Sequence, residues 1–263
     1  MKIIVCIKQV PDTTTVRINE KTGTMEREGV PTMVNPYDLY AIEAALKIKE
    51  EHGGSVAALS MGPPQVQDAL REVVSMGVDE AFLLSDREFA GADTLATSYT
   101  LSLGLARIGD YDLVLCGKQA VDGDTAQVGP EMAEHLGVPF VGFVRKIREV
   151  RPGFITVERM TDDGGEVVES PLPAVVSVVK EINEPRLPSL RGKMRAKKFE
   201  ATLWGAADIG AEAGRIGMTG SPTWVARSFT PEPRGGGEIL QGEESGALVE
   251  KAVGKIREMG VCS

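Results

Sequence analysis

Short, wholly apolar runs alternate with amphipathic stretches through the first half of the chain. Ile3-Ile4-Val5-Cys6-Ile7 is continuously apolar, the pattern of a strand covered on both faces of a parallel sheet. Residues 55–60, 81–84 and 112–116 repeat it. Helical spacing fills the intervals. Asn35-Pro36-Tyr37-Asp38 opens the first helix, Leu39, Ile42 and Leu46 mark its apolar face, and Gly53-Gly54 ends it. Val66, Leu70 and Val73 mark a second, stopped by Gly77. Gly91-Ala92-Asp93-Thr94 starts a third that carries Leu95, Tyr99 and Leu103. This alternation predicts an α/β fold, a doubly wound and mainly parallel Rossmann-like sheet with right-handed crossovers. The polar segment 13–34, with a turn at 19–23, reads as a hairpin or excursion loop.

The pattern changes after Leu136. Residues 140–144, 154–159 and 167–180 read as strands, with turns at Pro152-Gly153 and Asp162-Asp163-Gly164-Gly165, and 174–179 is a further buried run. The domain thus has a β-rich end. Regular periodicity stops at Glu181. Asn183-Glu184-Pro185-Arg186 reads as an exposed connection, and residues 210–237 are too rich in Gly and Pro to form a core. Leu248, Val249, Val253 and Ile256 mark one last amphipathic helix. The expected division is an α/β domain over 1–184 and, over 185–263, an extended C-terminal arm that lies on a partner.

Chemistry concentrates between the run 112–116 and the helix Met132-Ala133-Glu134-His135-Leu136, closed by Gly137. A strand, a loop of small residues and a helix start present unpaired N–H groups and a positive dipole end, which suit a pyrophosphate. Gly123 and Gly129 permit close backbone approach, and Thr125 and Gln127 add polar side chains. The loop matches neither the G-x-G-x-x-G nor the P-loop pattern. Taken alone it also reads as a surface turn whose acidic residues cap a helix. The sheet favours the first reading, because ligands gather beyond the carboxyl ends of strands at the switch point. The exits at 8–12, 61–64 and 117–129 then surround one nucleotide site.

Composition narrows the partners. The 263 residues carry a formal net charge of −9, which argues against a nucleic-acid surface. The basic run 191–198 reads as a nuclear or nucleic-acid patch, as solvated charge, which is the usual case, or as a docking patch for an acidic partner. Three scattered cysteines, Cys6, Cys116 and Cys262, form no disulfide framework or metal-ligand spacing, and the first two sit in apolar runs as buried thiols. No apolar stretch is long enough for a signal peptide or a membrane span, so a cytoplasmic protein without membrane insertion is expected.

The whole chain resembles the β subunit of an electron transfer flavoprotein. The most specific stretch is Val157-Glu158-Arg159-Met160-Thr161-Asp162-Asp163-Gly164-Gly165-Glu166-Val167-Val168, followed by Pro173-Ala174-Val175-Val176-Ser177. The resemblance implies a nucleotide site made of Cys6, Asn35, Pro36, Tyr37, Asp38, Met61, Ala120, Val121, Asp122, Gly123, Asp124, Thr125, Ala126, Gln127, Val128, Gly129, Pro130 and Glu131. It also implies a partner-recognition loop of Asn183-Glu184-Pro185-Arg186 and of Leu190, Arg191, Lys193 and Met194, the leucine being the apolar anchor for a dehydrogenase. A loop leucine folded back on its own domain is the plainer alternative. No side chain is expected to be a covalent or acid–base catalyst.

Members that hold only AMP carry bulkier, more acidic residues after the first loop aspartate. Here the loop reads Asp122-Gly123-Asp124-Thr125-Ala126-Gln127-Val128-Gly129-Pro130. That is similar to the subgroup whose β subunit holds complete FAD, takes a hydride from NADH and bifurcates the electron pair. The implied partners are an α subunit, an acyl-CoA dehydrogenase or quinone oxidoreductase, and ferredoxin or flavodoxin. The alternatives are a non-bifurcating β subunit with structural AMP and a stand-alone adenine-nucleotide module, the latter disfavoured by the long arm.

Overall fold

The computed structural model describes residues 1–12, 31–226, 237, 239–241 and 244–260. Its centre is β1 (Lys2–Cys6), flanked in parallel by β4 (Ser55–Met61) and β6 (Leu113–Gly117). Outward from β4 lie β5 (Glu80–Leu84) and the edge strand β11 (Thr202–Trp204), both parallel. Beyond β6 lie β10 (Ala174–Val178), β7 (Phe140–Arg151), β8 (Phe154–Thr161) and β9 (Gly164–Pro171), of which β8 pairs antiparallel with both β7 and β9. The chain moves outward through β4 and β5, then returns to β6 on the other side of β1. The expected doubly wound sheet therefore has its switch point between β1 and β6.

The continuous apolar runs follow from two cores. Alternate β1 side chains point to opposite faces. Ile3 and Val5 pack with Ile42 and Leu46 of α1 (Pro36–His52) and with Leu70 and Val73 of α2 (Gln67–Met76). Ile4 and Cys6 pack on the other face with Tyr99 and Leu105 of α3 (Thr94–Ile108) and Met132 of α4 (Val128–Leu136). Both thiols, Cys6 and Cys116, are buried as expected.

The polar excursion starts and ends as a hairpin, β2 (Gln9–Pro11) against β3 (Thr32–Val34), and its expected turn at 19–23 lies outside the described residues. Three expectations are corrected. The strand read over 167–180 breaks at Leu172-Pro173 into β9 and β10, which lie at different places in the sheet, and β10 is the separate buried strand expected over 174–179. The strand 140–144 continues to Arg151, because its polar second half is held by the β8 ladder. The connection at 183–186 is not exposed throughout. Asn183 Nδ2 donates to Tyr40 O at 2.9 Å, and Arg186 Nε donates to Glu43 Oε2 at 2.7 Å.

Past that connection, α5 (Leu190–Ala196) packs on α2, and β11 follows it onto the sheet edge. Two compact units result, Met1–Ser228 and Phe229–Ser263. The second contains α6 (Ser245–Glu258), where Val249, Val253 and Ile256 are exposed. Among the described residues, no helix is long and apolar enough to cross a membrane.

Candidate nucleotide-binding site

The exits of β1, β4 and β6 meet at the carboxyl edge of the sheet, and two buried polar side chains hold those of β1 and β6. Asp38, in the first turn of α1, accepts the Lys8 N–H at 2.8 Å and the Gly117 N–H at 3.1 Å, joining the β1 exit to the β6 exit. Burial pushes its carboxyl up to about 7 against the pull of those hydrogen bonds. Asn35, at the start of α1, donates from Nδ2 to Gln119 O at 2.9 Å and accepts the Val121 N–H at Oδ1 at 3.1 Å. It thereby pins the first part of loop 119–127. Gly117 must be glycine, since a Cβ there would stand 2.5 Å from Asp38 Oδ1 and 2.6 Å from Tyr37 Cβ.

The loop then turns sharply. Asp124 N–H donates to Ala120 O at 2.8 Å, and Asp124 and Ala126 take φ of 56° and 55°. Left-handed conformations at non-glycine residues cost free energy and cluster at ligand clamps. Among the described residues, the N–H groups of Thr125, Ala126 and Gln127 have no partner, and they lead directly into the N-terminus of α4. The acidic side chains do not cap that helix, because Gln127 occupies the cap position. Asp122 instead pairs with Lys8 Nζ at 2.7 Å, and Asp124 Oδ1 accepts from Gln119 Nε2. Both loop carboxylates are occupied by the protein, while the N–H groups of Thr125, Ala126 and Gln127 are left unpaired on a largely exposed loop. This donor set fits a diphosphate-bearing nucleotide.

The remaining site residues have distinct positions. Pro36 and Tyr37 begin α1, and Met61 ends β4 beside Gly62. The Cys6 side chain turns away from the edge toward Met132, 3.9 Å between sulfurs, and burial pushes its thiol up to about 12. Only its backbone is left to face a ligand. Gly123 has open space around a would-be Cβ. Gly129 serves packing instead of ligand approach, since its Cβ would stand 3.2 Å from both Cys116 Sγ and the Phe140 ring. Thr94, at the N-terminus of α3, was not among the expected residues. Its hydroxyl lies 3.1 Å from Gln127 Oε1 and 3.2 Å from Glu131 Oε1, tying α3 to the loop. Its only sequence signal is its place just after Asp93, the cap of α3.

Leu190, Arg191, Lys193 and Met194 lie on α5 and not on a loop, a correction of the expected recognition loop. Ser189 Oγ caps this helix by accepting the Gly192 N–H at 3.0 Å. Leu190 is 84% exposed and Met194 73%, so neither is folded back onto its own domain.

The model of the electron transfer flavoprotein domain matches residues 22–209. A caffeyl-CoA reductase-Etf complex subunit, CarD, of Acetobacterium woodii is 49% identical over 98% of both chains. An electron transfer flavoprotein subunit beta of Clostridium acetobutylicum is 47% identical over 98% of both. Protein FixA of Azorhizobium caulinodans is 45% identical over 89% of this chain and 86% of its own. With the sheet, its switch-point site and these full-length likenesses together, the chain belongs to the electron transfer flavoprotein family, on the β-subunit side.

Proposed function

We propose that this chain is the FAD-holding β subunit of an electron-bifurcating flavoprotein, working in a heterodimer with an α subunit. The observation that carries the proposal is the loop at the switch point, with free N–H groups from Thr125 to Gln127 and open space at Gly123. A diphosphate fits those donors, and the space leaves room for a ligand that continues beyond them. The likeness to a subunit named for a reductase-Etf complex, and to FixA, supports the FAD subgroup over AMP-holding members.

In this reading Asn35 and Asp38 hold the exits, and the loop with the start of α4 takes the diphosphate. FAD supplies the hydride acceptance and one-electron chemistry, while the protein supplies position and electrostatics. NADH is the donor. One electron goes to ferredoxin or flavodoxin, and the other goes through the α-subunit FAD to an acyl-CoA dehydrogenase or quinone oxidoreductase. Residues 1–184 serve the nucleotide, and 185–263 serve the partners. On α5, Leu190 and Met194 form an apolar anchor beside Arg191 and Lys193 for the dehydrogenase.

Anaerobic titration of the purified αβ heterodimer with NADH, without any dehydrogenase, tests this function. The proposal expects bleaching of flavin absorbance at stoichiometric NADH. A heterodimer that stays oxidised in excess NADH contradicts it.

A further inference from the structure

Beyond the phosphate loop, the carboxyl edge continues from β6 across β10 to β7. There β7 bulges. Val141 pairs with Val176 and Val144 with Val178, so three residue steps on β7 face two on β10. The extra residue falls at Gly142-Phe143, and Phe143 takes φ 60°. A bulky aromatic residue enters that region only where its surroundings impose it. They do so here. A Cβ at Gly142 would stand 2.9 Å from the Phe140 ring, and Ser177 Oγ accepts the Phe143 N–H at 3.3 Å.

The strained phenyl is not used in the core, being 37% exposed. Lys118, the residue directly after β6, holds its Nζ 5.5 Å from the ring centre. Its own N–H is fixed on Val178 O at 2.9 Å. Bulges commonly re-aim one side chain next to a binding site. This one presents an aromatic face and a cation at the same sheet edge as the nucleotide loop.

We propose that Phe143 and Lys118 form the platform for the flat ring system at the far end of the bound dinucleotide, and are the means by which this chain distinguishes FAD from AMP. The inference rests on the FAD reading above. Neighbouring strands lie about 4.8 Å apart, so β7 is roughly 10 Å past β6 along the edge. AMP ends at its phosphate, over the β6 loop. Only a ligand that continues past its phosphates reaches Phe143. An aromatic face suits a planar heterocycle, and a neighbouring ammonium suits the ring's electron-rich carbonyl edge.

The test uses the αβ heterodimer with Phe143→Leu, Phe143→Tyr and Lys118→Met. It reads FAD and AMP affinities by titration after nucleotide removal, and the visible absorption band of the rebound flavin. Phe143→Leu is expected to weaken FAD about tenfold, as the loss of one stacking face does, and to shift the band. AMP affinity stays within about twofold of the parent, and Phe143→Tyr restores FAD binding. Lys118→Met shifts the band without changing AMP affinity. Unchanged FAD affinity and band in Phe143→Leu overturn the proposal. So does equal loss of FAD and AMP, which makes Phe143 a support of the loop, and so does failure to pair with α, which places it in the subunit interface. A parent heterodimer that binds AMP in this chain and rejects FAD overturns the FAD reading itself, whatever the variants do.

Discussion

Asp38 illustrates how one side chain decides local geometry at a measurable cost. Its carboxylate satisfies two backbone N–H groups from different strand exits, yet burial holds it at about 7, well above an unfolded aspartate near 4. A raised carboxyl contributes stability that is complete below its unfolded value and is lost as pH rises through its folded value. Between roughly pH 4 and 7 it therefore removes up to about 1.4 kcal/mol per pH unit. The melting temperature of the parent is expected to fall across pH 5 to 7, and that fall should flatten in Asp38→Asn. Parallel slopes in parent and variant would contradict the assignment. Gly123 gives the complementary case, because its surroundings are open and Gly123→Asp fits without steric strain. A new carboxylate on the loop would repel a bound phosphate, at a cost on the order of 2 kcal/mol at an effective dielectric of about 20, or roughly thirtyfold in affinity. Gel-filtered Gly123→Asp heterodimer should keep its fold and lose flavin from this chain. Full flavin retention would remove the loop from the site.

At the scale of elements, β1, β4, β5 and β6 were legible because each is an apolar run feeding two cores, α1, α2 and α4 because they end at the expected Gly53, Gly77 and Gly137, and α3 from its start at Asp93-Thr94, although Leu95 on it is exposed. α5 and β11 were not. α5 is a short basic helix and β11 is only the three residues Thr202-Leu203-Trp204, so their positions are set by contacts distant in sequence. Arg186 is the clearest example. It lies 143 residues from Glu43, whose side chain is only 4% exposed, and the pair fastens the chain to α1 just before α5. Removing one partner of a buried pair strands the other charge. Arg186→Ala should lower stability by about 3 kcal/mol, and Arg186→Lys should recover only part, since it cannot reproduce the forked contact with Glu43 and Glu50. Denaturant midpoints decide this, and a change under about 0.5 kcal/mol would show that the clamp is idle. Leu190→Ala, by contrast, should leave the midpoint unchanged and slow stopped-flow transfer to the dehydrogenase. Equal rates for parent and variant would move the docking surface elsewhere.

For the whole molecule, the switch-point rule points to the carboxyl edge of the sheet as the place for a site. The exits at Lys8, Met61 and 117–129 do converge beyond the carboxyl ends of β1, β4 and β6. What the sequence concealed is how the loop is held. The Lys8–Asp122 pair, the Asn35 contacts and the Thr94 link to Gln127 and Glu131 join residues with no local pattern between them. The loop that results offers unpaired N–H groups and open space at Gly123, which FAD is proposed to occupy. Acid extraction of the purified αβ heterodimer, followed by chromatographic quantification of FAD and AMP against protein, tests that claim most directly. The account predicts two FAD and no AMP per heterodimer, whereas one FAD with one AMP would contradict it.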